Sequence, residues 1–171
     1  MNIFDFAMKM EEDGKAYYEK LASQSSLPGL KTIFTRLAED EQKHYEIFQE
    51  LKTSGSVPAM QDSTIIAEAR NVFEELPKGE EPLKGLKGDL AAYQHAMKIE
   101  SDSFRFYEKA ARKEKDPATK DLLTKIAVEE HKHFNVLENI FDFVNAPNQS
   151  LAWGEFSNLD EFSQFGRDAD S

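Results

Sequence analysis

The chain has 171 residues, of which 40% are hydrophobic and 31% are charged, and its formal net charge is −11. This composition predicts a folded, soluble domain, and the acidity argues against nucleic acid or an anionic membrane as the main partner. The sequence contains no cysteine, which excludes disulfides, cysteine-ligated metals and thiol catalysis.

The N-terminal residues 1–14 mix apolar and acidic side chains, without the basic start and long apolar run of a signal peptide. No later stretch is apolar enough to span a bilayer. We therefore expect a cytoplasmic protein without membrane association.

Apolar residues recur along most of the chain at alternating steps of three and four, the period of a helix that buries one face. Pro28 and Pro117 occupy favourable first helical positions, and Asp116 looks like an N-cap. The pattern predicts an all-α fold with four long helices. They are expected at about residues 3–24, 28–53, 88–115 and 117–144.

The sequence repeats itself when it is shifted by 89 positions, which brings Glu11 over Glu100. The match needs no gap, and self-similarity at one fixed offset indicates a duplicated helical hairpin. Among the aligned segments are Ala7–Glu11 with Ala96–Glu100, Tyr17–Lys20 with Phe106–Lys109, and Glu41, Lys43 and His44 with Glu130, Lys132 and His133.

The connection between the hairpins, residues 54–87, is rich in glycine and proline and too long for a tight turn. It fits a crossover that runs the length of a four-helix bundle, so the predicted domain spans residues 1–144. Within it, residues 63–76 are expected to form a short helix on the surface.

The remaining segment, residues 145–171, carries aromatic and apolar side chains every three positions from Trp153 to Phe165. We interpret it as a tail that packs on the bundle or on a partner subunit. A peptide that docks a partner protein is the alternative.

Two Glu-x-x-His pairs, Glu41 with His44 and Glu130 with His133, lie in the middle of apolar helical seams. The spacing of three places both side chains of a pair on one helix face. Because a buried carboxylate is costly without compensation, metal coordination is the natural interpretation.

Glu11 and Glu100 lie on the inward stripes of the first helix of each hairpin. Four carboxylates and two imidazoles should therefore converge, a set that neutralises two divalent cations and suits iron, zinc or manganese. The alternative is a metal-free bundle in which these buried polar groups satisfy one another.

Over residues 3–144 this pattern resembles the rubrerythrin branch of the ferritin-like superfamily. The resemblance implies a ferritin-like four-helix bundle with two iron ions, for which manganese or zinc could substitute. It also implies bridging ligands Glu41 and Glu130, terminal ligands Glu11 and Glu100, and one imidazole per metal from His44 and His133. Tyr18 and Tyr107 look like tyrosines that hydrogen-bond ligand carboxylates in such sites, and ordinary aromatic core is their alternative.

The chain departs from the rubrerythrin pattern in two respects. Ser103 stands where rubrerythrins usually carry an additional Glu, which lets a metal shift with redox state, and Gly14 is its counterpart in the first hairpin. The absence of cysteine also means that this chain cannot form a rubredoxin-like iron site, so electrons must come from another protein or a small reductant.

The resemblance implies a di-iron oxidoreductase that reduces hydrogen peroxide or dioxygen. Its expected partners are the oxidant, an external electron donor such as a rubredoxin-like protein, and a second copy of the chain in a homodimer. The alternatives are ferrous iron oxidation and handling, as in ferritins, and a metal-binding module without turnover.

The other polar residues near the seams receive simpler interpretations. His131 is expected to be exposed rather than a ligand, and His95 to lie at the periphery. Solvent-exposed helix faces are expected for Glu12, Glu19, Glu39, Asp40, Glu108 and Glu129.

Overall fold

The computed structural model describes residues 2–76 and 84–145. These residues form five α-helices and no β-strand, which confirms the all-α prediction, and every helix boundary lies within two residues of its expected position. A 3-10 helix, Lys84–Asp89, precedes the fourth α-helix. The α-helices are α1 (Ile3–Gln24), α2 (Pro28–Ser54), α3 (Ile65–Glu75), α4 (Leu90–Lys113) and α5 (Pro117–Asn145).

Local sequence signals explain the helix ends. The backbone N–H of Thr119 donates to Asp116 Oδ2 at 2.9 Å, so Asp116 is the predicted N-cap before Pro117. Gly55 ends α2 in the left-handed conformation, with φ of 70°, and its N–H donates to the carbonyl of Leu51 at 3.0 Å.

The helices pack as two hairpins, α1 along α2 and α4 along α5, and α3 lies against α2 and α5. Two apolar clusters fill the bundle. One contains Leu30 of α2 and Tyr93 of α4, and the other contains Phe48 and Tyr107, farther along the same two helices. Between the clusters, each long helix contributes buried polar side chains.

The connection between the hairpins joins opposite ends of the bundle, because α2 ends beside one apolar cluster and α4 begins in the other. Residues 77–83 of this connection lie outside the described residues, as do residues 146–171 of the tail. The packing role expected for the tail therefore stays a prediction. None of the described helices combines the length and apolar character required to cross a membrane.

Candidate metal centre

The structure brings together all six predicted ligands in the polar layer between the two apolar clusters. Their side chains come one each from α1 and α4, and two each from α2 and α5. None of the six residues is more than 3% exposed. They are Glu11, Glu41, His44, Glu100, Glu130 and His133.

The six side chains form two overlapping groups of four. In each group the potential ligand atoms lie within 4.8 Å of one another. Glu41 and Glu130 belong to both groups, as two carboxylates bridging a pair of cations would. The first group adds Glu11 and His44, and the second adds Glu100 and His133.

The two imidazoles connect the hairpins. His44 Nδ1 on α2 lies 2.9 Å from Glu130 Oε1 on α5. His133 Nδ1 on α5 lies 3.0 Å from Glu41 Oε1 on α2. The imidazole rings are stacked with centroids 6.1 Å apart. Each Nδ1 atom therefore faces the middle of the centre from the opposite hairpin.

The other nitrogen of each imidazole contacts a carboxylate that we expected on a solvent-exposed helix face. His44 Nε2 lies 2.7 Å from Glu129 Oε1, and His133 Nε2 lies 3.0 Å from Asp40 Oδ2. Asp40 is 2% exposed and Glu129 is 3% exposed, so the expectation of exposure was wrong for both. We refer to Asp40 and Glu129 as the outer carboxylates.

The outer carboxylates are buried because the chain after α2 covers them. The backbone N–H of Ser63 donates to Glu129 Oε2 at 2.6 Å, and the Ser63 hydroxyl donates to Asp40 Oδ2. The internal repeat could have indicated that these two residues have equivalent roles. The offset of 89 aligns Asp40 with Glu129, and each lies immediately before a Glu-x-x-His pair.

These contacts keep the outer carboxylates ionised. Burial alone would raise the pKa of Asp40, but hydrogen bonds from His133 and Ser63 outweigh it and lower the pKa to about 2. Burial likewise opposes ionisation of Glu129, whose pKa is nevertheless lowered by the hydrogen bond with His44. An ionised carboxylate only accepts, so it favours a proton on Nε2 and leaves Nδ1 free to bind a cation.

Each tyrosine contacts a candidate ligand of the other hairpin, one of the two carboxylates that the resemblance implies are terminal ligands. Tyr107 OH donates to Glu11 Oε1 at 2.6 Å, and Tyr18 OH donates to Glu100 Oε1. Burial and the nearby carboxylates raise the pKa of both hydroxyls well above the usual range. The tyrosines therefore remain protonated donors, which fix one oxygen of each terminal Glu.

Without a cation the centre holds excess negative charge. Burial, followed by repulsion from the neighbouring carboxylates, raises the pKa of Glu41 and Glu130 well above the usual range. Burial would lower the pKa of His44 and His133, but the surrounding carboxylates outweigh it and raise both values. In the metal-free protein, protons bound to these Glu and His side chains thus offset the negative charge that metal cations would otherwise offset.

The donor atoms fit a metal pair. Four buried side-chain atoms in the centre make no hydrogen bond of good geometry within the described part of the chain, although His44 Nδ1 lies 2.9 Å from Glu130 Oε1 and 3.4 Å from Glu11 Oε2. Unpaired buried polar atoms are costly, and coordination to cations would satisfy all four. They are Glu11 Oε2, His44 Nδ1, Glu100 Oε2 and Glu130 Oε1.

The other two histidines lie outside both ligand groups. His95 is exposed, as expected. His131 is only 4% exposed, so the expectation of exposure was wrong. The ring of Phe104 on α4 stacks on the His131 imidazole with centroids 3.5 Å apart, and His131 Nε2 lies 3.2 Å from Glu108 Oε1.

The positions of the missing additional Glu residues are both buried. Ser103 is 8% exposed on α4. A Cβ atom at Gly14 would lie 3.4 Å from Glu41 Oε2, so this glycine stands directly beside a shared carboxylate. Neither position supplies a carboxylate to the two ligand groups.

One of three comparisons with known proteins found a match, and it agrees with this geometry. Neither the curated proteins nor the solved structures include a match to the chain. The family model described as rubrerythrin matches residues 2–141, a span that contains all six candidate ligands and both tyrosines. The chain belongs to the rubrerythrin family.

Proposed function

We propose that this protein is a non-haem di-iron oxidoreductase that reduces hydrogen peroxide or dioxygen. The observation that carries the proposal is the pair of overlapping ligand groups that share Glu41 and Glu130. When bound, an iron pair supplies the two electrons that convert one hydrogen peroxide and two protons into two water molecules.

The residues of the chain prepare the site for this chemistry. The four ligand carboxylates offset the charge of two divalent cations in a layer with little access to water. The outer carboxylates hold each imidazole with Nδ1 toward the centre. The tyrosine hydroxyls fix one oxygen of each terminal Glu, leaving the other oxygen available for a cation.

We infer that electrons reach the centre from another molecule, since residues 1–171 contain no cysteine to hold a rubredoxin-like iron. We propose a rubredoxin-like protein or a small reductant as the donor. A homodimer is the assembly that the family resemblance implies, and it is part of the proposal.

Ferrous iron oxidation is the second candidate function. The lack of an additional carboxylate at Ser103 and Gly14 favours it, because the resemblance associates that residue with metal movement during redox cycling. This function predicts dioxygen consumption when Fe(II) is added, with little reductant-driven peroxide turnover. Iron storage would also require a shell or a host compartment, which a measurement of assembly size detects.

The test is anaerobic loading with Fe(II), followed by separate challenges with hydrogen peroxide and with dioxygen. The proposal expects rapid oxidation by one of them and repeated turnover once a reductant is supplied. Glu130→Ala should remove both metals, whereas Glu12→Ala, next to Glu11 but exposed, should behave as the parent. If the parent protein bound no iron, the assignment of a metal centre would be wrong. If metal raised Tm but neither oxidant reacted, the protein would be a metal-binding module without turnover.

A further inference from the structure

Ser63 contacts both halves of the candidate metal centre. It lies in the chain between α2 and α3, and the inference drawn from it rests on the proposed metal centre. Its hydroxyl donates to Asp40 Oδ2, the same atom that His133 Nε2 contacts at 3.0 Å. Its backbone N–H donates to Glu129 Oε2, while Glu129 Oε1 lies 2.7 Å from His44 Nε2.

The two contacts use different chemical groups of one residue. The hydroxyl acts on the half that contains His133, and the backbone N–H acts on the half that contains His44. A side-chain substitution can therefore alter one half while the other keeps its contact. A variant that only destabilised the fold would weaken both halves, so an effect on one half alone identifies a positioning role.

The direction of the Ser63 hydroxyl is fixed by a further bond. Ser63 Oγ accepts from the backbone N–H of Ile65 at 3.1 Å, at the first residue of α3. With this lone pair engaged, the hydroxyl proton is directed to Asp40. The start of α3 thus anchors the donor that holds the carboxylate.

The anchoring is significant because the outer carboxylates border open space. A cavity of about 510 Å³ lies between α2 and the segment Pro58–Thr64, and Ser63, Asp40 and Glu129 line it. Water in such a cavity can compete for the carboxylate oxygens. A donor fixed to the chain keeps one orientation, whereas a replacing water could bind in several.

We propose that Ser63 is a positioning residue for both metal-binding imidazoles. Its hydroxyl sets the Asp40–His133 pair, and its backbone N–H sets the Glu129–His44 pair. Loss of a group that orients a metal-binding imidazole typically lowers metal affinity about 10–100-fold. For His133 that group is Asp40, and the Ser63 hydroxyl lies one contact farther from the metal, so its removal should weaken this site by less, about 3–10-fold.

The test uses Co(II) titration of the full chain, followed by the visible absorption of the bound ion. His44→Ala leaves the group that contains His133, and His133→Ala leaves the group that contains His44. In the His44→Ala background, Ser63→Ala should weaken Co(II) binding about 3–10-fold and change the absorption spectrum. In the His133→Ala background it should leave both unchanged.

Two further variants complete the design. Ser63→Thr retains a hydroxyl and should restore binding in the His44→Ala background. Thr64→Ala is the matched control, because the exposed Thr64 hydroxyl donates to Glu68 rather than to the centre. Unchanged binding by Ser63→Ala, or equal weakening in both backgrounds, would overturn the inference. Absence of Co(II) binding by the parent would instead refute the metal centre itself.

Discussion

His133 Nε2 on α5 lies 3.0 Å from Asp40 Oδ2 on α2, so a carboxylate of one hairpin holds an imidazole of the other. The same relation links His44 on α2 to Glu129 on α5 at 2.7 Å. Since each imidazole directs Nδ1 toward a shared Glu, the outer carboxylates determine how both hairpins present their nitrogen donors.

Asp40→Asn should weaken the metal site that contains His133. The amide is uncharged and a poorer acceptor than the carboxylate, so it holds Nε2–H less firmly. We expect a loss of about 10–100-fold in affinity at this site, measured by Co(II) titration. Glu39→Gln is the control, because Glu39 precedes Asp40 but is exposed and pairs with Arg36. Equal losses in the two variants would contradict a specific role for Asp40.

Tyr107→Phe should lower both stability and metal affinity. The variant removes the 2.6 Å hydrogen bond to Glu11, and a bond to a charged group contributes about 1.5–3 kcal/mol to the free energy of unfolding. Chemical denaturation of the metal-free protein measures that loss, and metal titration measures the effect on Glu11 as a ligand.

Tyr93→Phe provides the comparison for Tyr107. Tyr93 is also buried, but it belongs to the apolar cluster near the start of α4, where its ring packs against Phe34. Its variant should bind metal as the parent does. If Tyr107→Phe also bound metal like the parent, Tyr107 would be core packing alone.

Helical periodicity and the internal repeat were sufficient to predict the helices and the convergence of the six residues. Inward positions of a helix follow from its period, and the shift of 89 assigned each ligand a counterpart on the other hairpin. The sequence alone therefore predicts that Glu41 and Glu130 lie at the middle of the bundle.

The same periodicity could not predict the outer carboxylates or the burial of His131. Asp40 and Glu129 lie one position before the inward Glu, at the edge of the helical stripe, and the chain around Ser63 buries them. His131 lies at a similar edge and is covered by Phe104. Contacts of this kind depend on which segment crosses a helix face, and the period of the helix carries no information about that.

The metal-free protein should lose stability as the pH rises above the usual Glu pKa of about 4.3. Glu41, Glu130, His44 and His133 have raised pKa values in the folded state, so the folded protein binds more protons than the unfolded chain. Their contribution to stability is complete at low pH and is lost as the pH rises through the folded values.

The opposite effect comes from groups whose pKa values are lowered in the folded state. Asp40 and Glu100 titrate in more acidic solution, with pKa values of about 2, and burial lowers the pKa of His131 to about 4, so His131 adds stability as the pH rises to about 6.5. Melting of chelator-treated protein between about pH 6.5 and 8, above the range in which His131 titrates, should therefore show a falling Tm. Metal affinity should rise over the same range, because cations displace the bound protons. A Tm that rises with pH in the metal-free protein would contradict the raised values.

Glu130→Gln should stabilise the metal-free protein and abolish its response to metal. Glu130 Oε1 lies 2.9 Å from His44 Nδ1, but burial and repulsion from the surrounding carboxylates outweigh this contact and raise the pKa of Glu130. The amide has similar volume and removes the repulsion, and each kcal/mol gained should raise Tm by about 2–4 °C for a chain of this size.

In the parent, metal at 100 times its Kd should add about 2.7 kcal/mol, measurable by calorimetry. Glu130→Gln should lose this added stability at both sites, since Glu130 belongs to both groups. Glu11→Gln should lose it at one site only. Glu12→Gln is the control and should keep it at both sites, because Glu12 is exposed. A less stable metal-free Glu130→Gln protein would show that this carboxyl group serves the fold rather than a cation.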